Sequence, residues 1–456
     1  MIERNMETMF KHSPYIPFDP DCWTYVLSEG SPLMPPLAVG LGPFEFTNWW
    51  NECMSWHETA YIHAELNPAA TYKFKGPDAL KFLKSICVNS FDNYPIGKGK
   101  HGIMCNEDGL DMQDGICLRT GEDEFLTFWM WPYIEYALLK SNMNVEGENL
   151  TGKVFMYQIA GPKSLEIIEE AAKEDLHDIK FIHFRDSVIA GKKVMILRAG
   201  MTGNLAYEVH GDFEDCIPVY NALLEAGEKF GIRKLGRHGY RNTHTEGGFP
   251  QLTIHHLSGP DPEFGKYAGA CSGCNNDGSL KLTGSCGDDI SVFWRTPYDL
   301  GWGGMVKFDH DYIGRAALEK IAKNPPRTMV TLEWNDEDIL DIYSSYFKQE
   351  EPYQLFEFPE DWSYQAGSLD MHADQVLFGG KRVGVSSGRI FSPYWRKMLS
   401  LCTIDIELSK EGTDVVILYG DPDKRQKEIR AKVSRFPYNH IDRNEHFDVS
   451  SIPKKY

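Results

Sequence analysis

The stretch GRHGYRNTHTEGGFP (236–250) sets a tyrosine, Tyr240, between Arg237 and Arg241. A phenol can donate to a departing oxygen and stabilise the anion as it forms. Flanking guanidiniums would draw its pKa down. The competing reading is a tyrosine packed in a loop-to-strand turn, because tyrosines are common core residues. His57 lies in an aromatic segment, FTNWWNECMSWHETAYIHAEL (46–66), read as a helix. It suits a donor to a ligand oxygen or a satisfied core histidine; His63 suits the core. Arg119 ends GICLR, where its fork could grip a carboxylate or pair with Glu122 or Asp123 on its own turn.

Cys271-Ser-Gly-Cys274, followed by Cys286, looks like part of a zinc site that His255, His256 or an aspartate would complete. A closed site needs four ligands, and such sites usually show a second clean ligand pair. Thiols in a Gly-rich lid are the plainer expectation, and no metal is expected. The chain has no Gly-x-Gly-x-x-Gly after a strand and no P-loop. It also lacks the two Cys/His pairs of a Rieske cluster.

Positioning these groups falls to a chain of 456 residues with a formal net charge of −19. Its length allows a substantial core without staples. An acidic surface argues against nucleic acid and anionic membranes as partners. An anionic substrate would need a basic residue inside its pocket. The ten cysteines form no framework. The first residues lack a leader's apolar stretch, so free thiols in the cytoplasm are expected.

Residues 1–45, rich in Pro and Gly, read as an extended arm. ATYKFKGPDALKFLKSI and VFMYQIAGPKSLEIIEEAAKE each read as strand, Gly-Pro turn and helix, a weak internal duplication around Gly76 and Gly161. HGIMCNEDGLDMQDGICLRTGEDEFLTFW reads as a β meander. Residues 250–297 read as a long irregular excursion. Beyond Pro325-Pro326, short strands between turns argue for an all-β sandwich or barrel.

Several stretches, in order, resemble the folate-dependent aminomethyltransferase, or glycine-cleavage T-protein, superfamily. They are KFKGPDALKFL, NEDGLDMQDGICL, TGNLAYEVHG, YDLGWGGMVKFDHDYIGRAAL, VGVSSGRIFSPYWRKMLSL and EIRAKVSRFPY. The aromatic N-terminal arm, the long insertion and GRHGYRNTHTEGGFP are similar to the tetrahydrofolate-dependent aryl O-demethylases within it. The resemblance implies an α+β fold: a three-lobed folate- and substrate-binding region over 1–324, with the insertion at about 250–297, and a C-terminal β-barrel over 325–456. It implies transfer of a methyl group from a methoxybenzoate of the vanillate, syringate or dicamba type to N5 of tetrahydrofolate. Alternatives are transfer from a sulfonium or N-methyl amine, and folate binding without turnover.

Carried residue by residue, the resemblance makes Tyr240 and His57 the acid-base pair. Arg119, Tyr25 and His57 would bind the aromatic acid, with Tyr25 closing over it. Glu208, in AYEV, would accept from the pterin N–H groups. Phe249 would pack on the pterin, and Trp395 and Arg396 would meet the folate tail. Gln113 is a departure: the T-protein pattern has an aspartate there, and a glutamine cannot act as a base. That argues against aminomethyl transfer and leaves Gln113 to hydrogen-bond folate, with Asp114 beside it.

Overall fold

The computed structural model describes residues 13–28, 40–272, 280–356, 364–365 and 368–456. It mixes helix and sheet, as the resemblance implies. Each half of the duplicated unit forms as the sequence suggests: strand Thr71–Lys75 with helix Ala79–Ile86, and strand Val154–Ala160 with helix Ser164–Ala172. The connecting glycines, Gly76 and Gly161, have φ of +142° and +131°. A β-carbon on either would approach a backbone carbonyl oxygen, Asn144 O at 2.5 Å or Thr59 O at 2.6 Å. Only glycine meets both demands.

One sheet carries six strands in the order Phe184–Ile189, Lys192–Leu197, Ala206–Asp212, Val154–Ala160, Ala60–His63 and Ile232–Lys234. A second carries five: Gly99–Cys105, Asp111–Arg119, Glu124–Phe128, Thr71–Lys75 and Glu146–Asn149. Each packs its helices over its own apolar core.

The C-terminal strands close on themselves. Ser368–Phe378, Lys381–Ser392, Lys397–Asp405, Arg327–Trp334, Lys427–Ser434 and Asp414–Tyr419 pair in that order, and the last pairs back to the first. Closure removes exposed sheet edges.

Two expectations need correction. Residues 46–66 are not one helix: they form short helices Trp49–Cys53 and Ser55–Glu58, then strand Ala60–His63. The β-branched and aromatic run AYIH pairs with Val154–Ala160, and tertiary pairing overrides local helical pattern. The excursion after residue 250 holds helix Pro262–Ser272 and strand Leu280–Thr283, which pairs in parallel with the barrel strand Ser368–Phe378. No described helix is long and apolar enough to cross a membrane.

Candidate active site

A cavity of about 1030 Å³ lies among the two sheets, helix Arg237–Gly247 and the segment that follows it. This helix is the least expected element of the fold. Its hydropathy is low, yet His238, Arg241, Asn242, Thr243, His244, Thr245 and Glu246 are all buried. Burying that many polar groups costs free energy unless they are bonded, so such a helix marks a working part of the protein. Tyr240 sits in its first turns, not in a loop-to-strand turn, and lines the cavity.

The six-stranded sheet supplies one wall. Glu208 and His63 are both register partners of Gln158, so three polar side chains form one row across adjacent strands. Gln158 Nε2 donates to Glu208 Oε1 at 3.3 Å, and Glu208 is 4% exposed. Its Oε2 lies 3.2 Å from His210 Nε2, and a carboxylate has more lone pairs than these two neighbours use. The remaining capacity of Glu208, on the cavity wall, fits a flat ligand with adjacent N–H donors such as a pterin edge.

His63 lies beneath Tyr240, their rings stacked at 4.2 Å and 11°. Nδ1 of His63 donates to Leu235 O at 2.9 Å, which leaves Nε2 as an acceptor. Burial pushes its pKa down to about 3. His244, edge-on to Tyr240 at 5.1 Å, is likewise pushed down by burial to about 4. Both imidazoles are neutral at neutral pH. The Tyr240 phenol moves opposite to the expectation from its flanking arginines. Burial first, and the Glu208 carboxylate second, hold it well above the usual tyrosine range. It is a hydrogen-bond donor that keeps its proton.

Of the other predicted residues, Phe249 lines the cavity, edged by His101 at 5.2 Å and Trp302 at 5.7 Å. Gln113 also lines it, but its amide is engaged. Nε2 donates to Trp129 O at 2.7 Å and Trp131 O at 2.6 Å, and Oε1 accepts from Tyr133 N at 3.0 Å. Gln113 braces that loop rather than offering its amide to a ligand. Its neighbour Asp114 lines the cavity and pairs with His101 Nε2 at 2.7 Å.

Five predicted residues lie off the cavity wall. Arg119 donates to the backbone oxygens of Gly121, Tyr94 and Glu122, so its guanidinium stabilises its own turn. Tyr25, on strand Thr24–Ser28, donates to Asp19 O at 2.9 Å just ahead of that strand. His57 lies behind the polar helix. Its Nε2 is 2.9 Å from Glu246 Oε2, and its ring stacks on Tyr394 at 3.8 Å. Trp395 packs edge-on against Tyr438, and Arg396 covers the Trp50 ring at 4.7 Å. His57 thus supports the helix that carries Tyr240, and Trp395 lies edge-on to His57 at 6.2 Å.

Sequence reasoning missed Glu65, His244, Arg237 and Arg241 as wall residues in their own right, and set His63 aside. IHAEL held a usable signal. Polar residues at alternate positions of an extended segment face one side, and here both His63 and Glu65 reach the cavity. Asp111, Asp114 and His256 place one possible ligand atom each within 4.8 Å of one another. Cys271 and Cys286 form no disulfide among the described residues, and Cys274 lies outside them.

Comparison with known proteins agrees with this architecture. The family described as the GCVT N-terminal domain matches residues 42–256. A sesamin methylene transferase from Sinomonas sp. is 42% identical over 91% of this chain and 94% of its own. A syringate O-demethylase from Sphingobium sp. is 34% identical over 89% and 92%. The crystal structure of the glycine cleavage system aminomethyltransferase T from Bartonella henselae superposes with a TM-score of 0.66 at 15% identity, covering 95% of this chain and 99% of that one. The chain belongs to the folate-dependent aminomethyltransferase, or T-protein, superfamily of one-carbon transferases.

Proposed function

We propose that the protein cleaves an aryl ether and passes its one-carbon group to tetrahydrofolate, with a methoxybenzoate of the vanillate, syringate or dicamba type as donor. The observation that carries this reading is the stack of Tyr240 on His63, in the same wall as Glu208. A phenol that holds its proton stands close to a carboxylate suited to a pterin. When bound, tetrahydrofolate supplies the N5 amine that accepts the methyl group. Glu208 would accept from the pterin N–H groups and fix its orientation, which supplies much of the rate. Tyr240 would donate to the ether oxygen as negative charge develops there. Phe249 would pack against a flat ring. Arg119 is turned away, so a benzoate carboxylate would meet Arg237 and Arg241, both on the wall. Residues 1–324 would form the folate- and substrate-binding part and 325–456 the barrel part.

A second reading is methylene transfer from a methylenedioxy ring, a neutral donor. The 42% identity to a sesamin methylene transferase favours it, as does the loss of Arg119 as carboxylate partner. The deciding experiment is anaerobic incubation with tetrahydrofolate and carbon-labelled vanillate, syringate, dicamba, a methylenedioxybenzene, dimethylsulfoniopropionate and sarcosine. Mass spectrometry would follow the label. Label in 5-methyltetrahydrofolate from a methoxybenzoate supports the first reading. Label in methylenetetrahydrofolate supports the second. Label only from the sulfonium or the amine overturns both. Folate binding with no transfer from any donor points to a binding protein.

A further inference from the structure

We infer that Glu65 is the proton carrier of the site, giving a proton to the leaving aryl oxygen and taking one from the acceptor amine. The inference rests on the aryl-ether reading in its methyl-transfer form. Glu65 lies two residues beyond His63 and lines the cavity. Its Oε1 is shielded from solvent and has no hydrogen-bond partner among the described residues. A carboxyl oxygen left in that state in a built cavity is available to a ligand.

The charged and titratable groups around it come from three elements. Arg237, on the polar helix, favours the Glu65 carboxylate through its charge. Tyr220, on helix Cys216–Gly227, is near enough to feel the Glu65 charge. His63 precedes it on its own segment. Burial pushes the Glu65 carboxyl up to about 7, against the pull of Arg237. An acid near the working pH transfers protons efficiently in both directions. The neighbours are less suited. His63 and His244 are neutral at neutral pH, with no imidazolium proton to give, and the Tyr240 phenol is held too weakly acidic to give its proton outright.

The balance closes without a further reactant. The ether C–O bond breaks with its electron pair on oxygen, and a C–N bond forms from the amine lone pair. The oxide needs one proton, and the amine nitrogen must lose one. Glu65 gives its proton to the oxide and, as a carboxylate, receives the one from nitrogen. It ends as it began.

The test compares wild type with Glu65→Gln on a series of aryl methyl ethers whose phenols grow steadily more acidic. The expected result is a fall in kcat of about 100-fold or more for the least acidic phenol, shrinking toward none for nitro-substituted donors. Folate affinity should stay the same. Independently of turnover, infrared difference spectra of the folate-free protein should show a protonated carboxyl band titrating near neutrality. Glu52 should contribute a similar band, so Glu65→Gln should remove only the Glu65 component, and Glu65→Asp should shift that component. An equal fall for every leaving group, no fall, or a band that Glu65→Gln leaves unchanged overturns the inference. A wild type that turns over no aryl ether, yet shows the band, overturns the aryl-ether reading and with it the transfer role.

Discussion

Glu208 and His63 share one row of the six-stranded sheet, each opposite Gln158 on the strand between them. The carboxylate proposed to orient folate and the base of the tyrosine stack are therefore fixed by the same backbone ladder. Glu208→Gln should weaken tetrahydrofolate binding roughly 10- to 100-fold, since hydrogen bonds to a charged group contribute about 1.5–3 kcal/mol. Isothermal titration would check this. An unchanged Kd would remove Glu208 from the folate site.

Tyr240→Phe keeps the stack on His63 and removes only the hydroxyl. It should lower kcat by about 10²- to 10³-fold, as for loss of one donor to developing negative charge, while folate affinity barely moves. Near-full activity in Tyr240→Phe, with activity lost in His57→Gln, would reverse the roles. The position of His57 behind the helix argues against that outcome.

Arg119→Ala should leave KM for a benzoate donor unchanged, because its guanidinium is bonded to the backbone oxygens of Tyr94, Gly121 and Glu122. Arg241→Ala should raise that KM by roughly 10-fold or more, as expected for loss of a charge-assisted contact. Steady-state kinetics on the two variants separates the assignments. A raised KM in Arg119→Ala alone would restore the sequence-based one.

Glu246 holds two buried donors, Trp56 Nε1 at 3.1 Å and His57 Nε2 at 2.9 Å. Glu246→Ala strands both, and breaking such a buried network should cost about 3–5 kcal/mol. Urea unfolding would show the loss as a lower midpoint. Because Glu246 anchors the polar helix, activity should fall with it.

Stability should respond to pH from both sides. His63 and His244, at 6.5 when unfolded, fall to about 3 and about 4 in the fold. Their contribution is present above 6.5 and is lost as pH falls toward these values. Glu52 and Glu65 rise from 4.5 to about 7, and Asp111 rises from 3.8 to about 6. Their contribution is present below the unfolded values and is lost as pH rises through 6 to 7. Between about 4.5 and 6.5 the two sets oppose each other, so stability should tilt only gently downward with rising pH, three carboxyls facing two imidazoles, and decline more steeply on either side. Urea midpoints across that range would test it; a steep monotonic slope would contradict the burial of one set.

Much of the fold was legible because its signals are local. The Gly-Pro units need a glycine at positive φ, and the barrel strands alternate between turns. The 46–66 segment misled because its fate depends on a strand about a hundred residues away. Glu208 and Phe249 reached the cavity as expected, since family motifs carry their surroundings with them. Arg119, His57 and Tyr25 did not, because residue type cannot say whether a backbone oxygen or a buried glutamate reaches the side chain first. The row formed by His63, Gln158 and Glu208 was invisible to sequence reading because register between distant strands is a tertiary fact.

The parallel pairing of Leu280–Thr283 with Ser368–Phe378 has a consequence for how such a protein can change over time. Next to it, Gly284 lies so close to Ala373 that a β-carbon would come within 2.3 Å of its carbonyl oxygen. Ser285 N donates to Asp374 Oδ1 at 3.0 Å. A recombination event at Pro325-Pro326 would cut between two partners fitted to each other and exchange only one. Lineages that trade this barrel for another should therefore inherit the 280–285 segment with it, or rebuild both together.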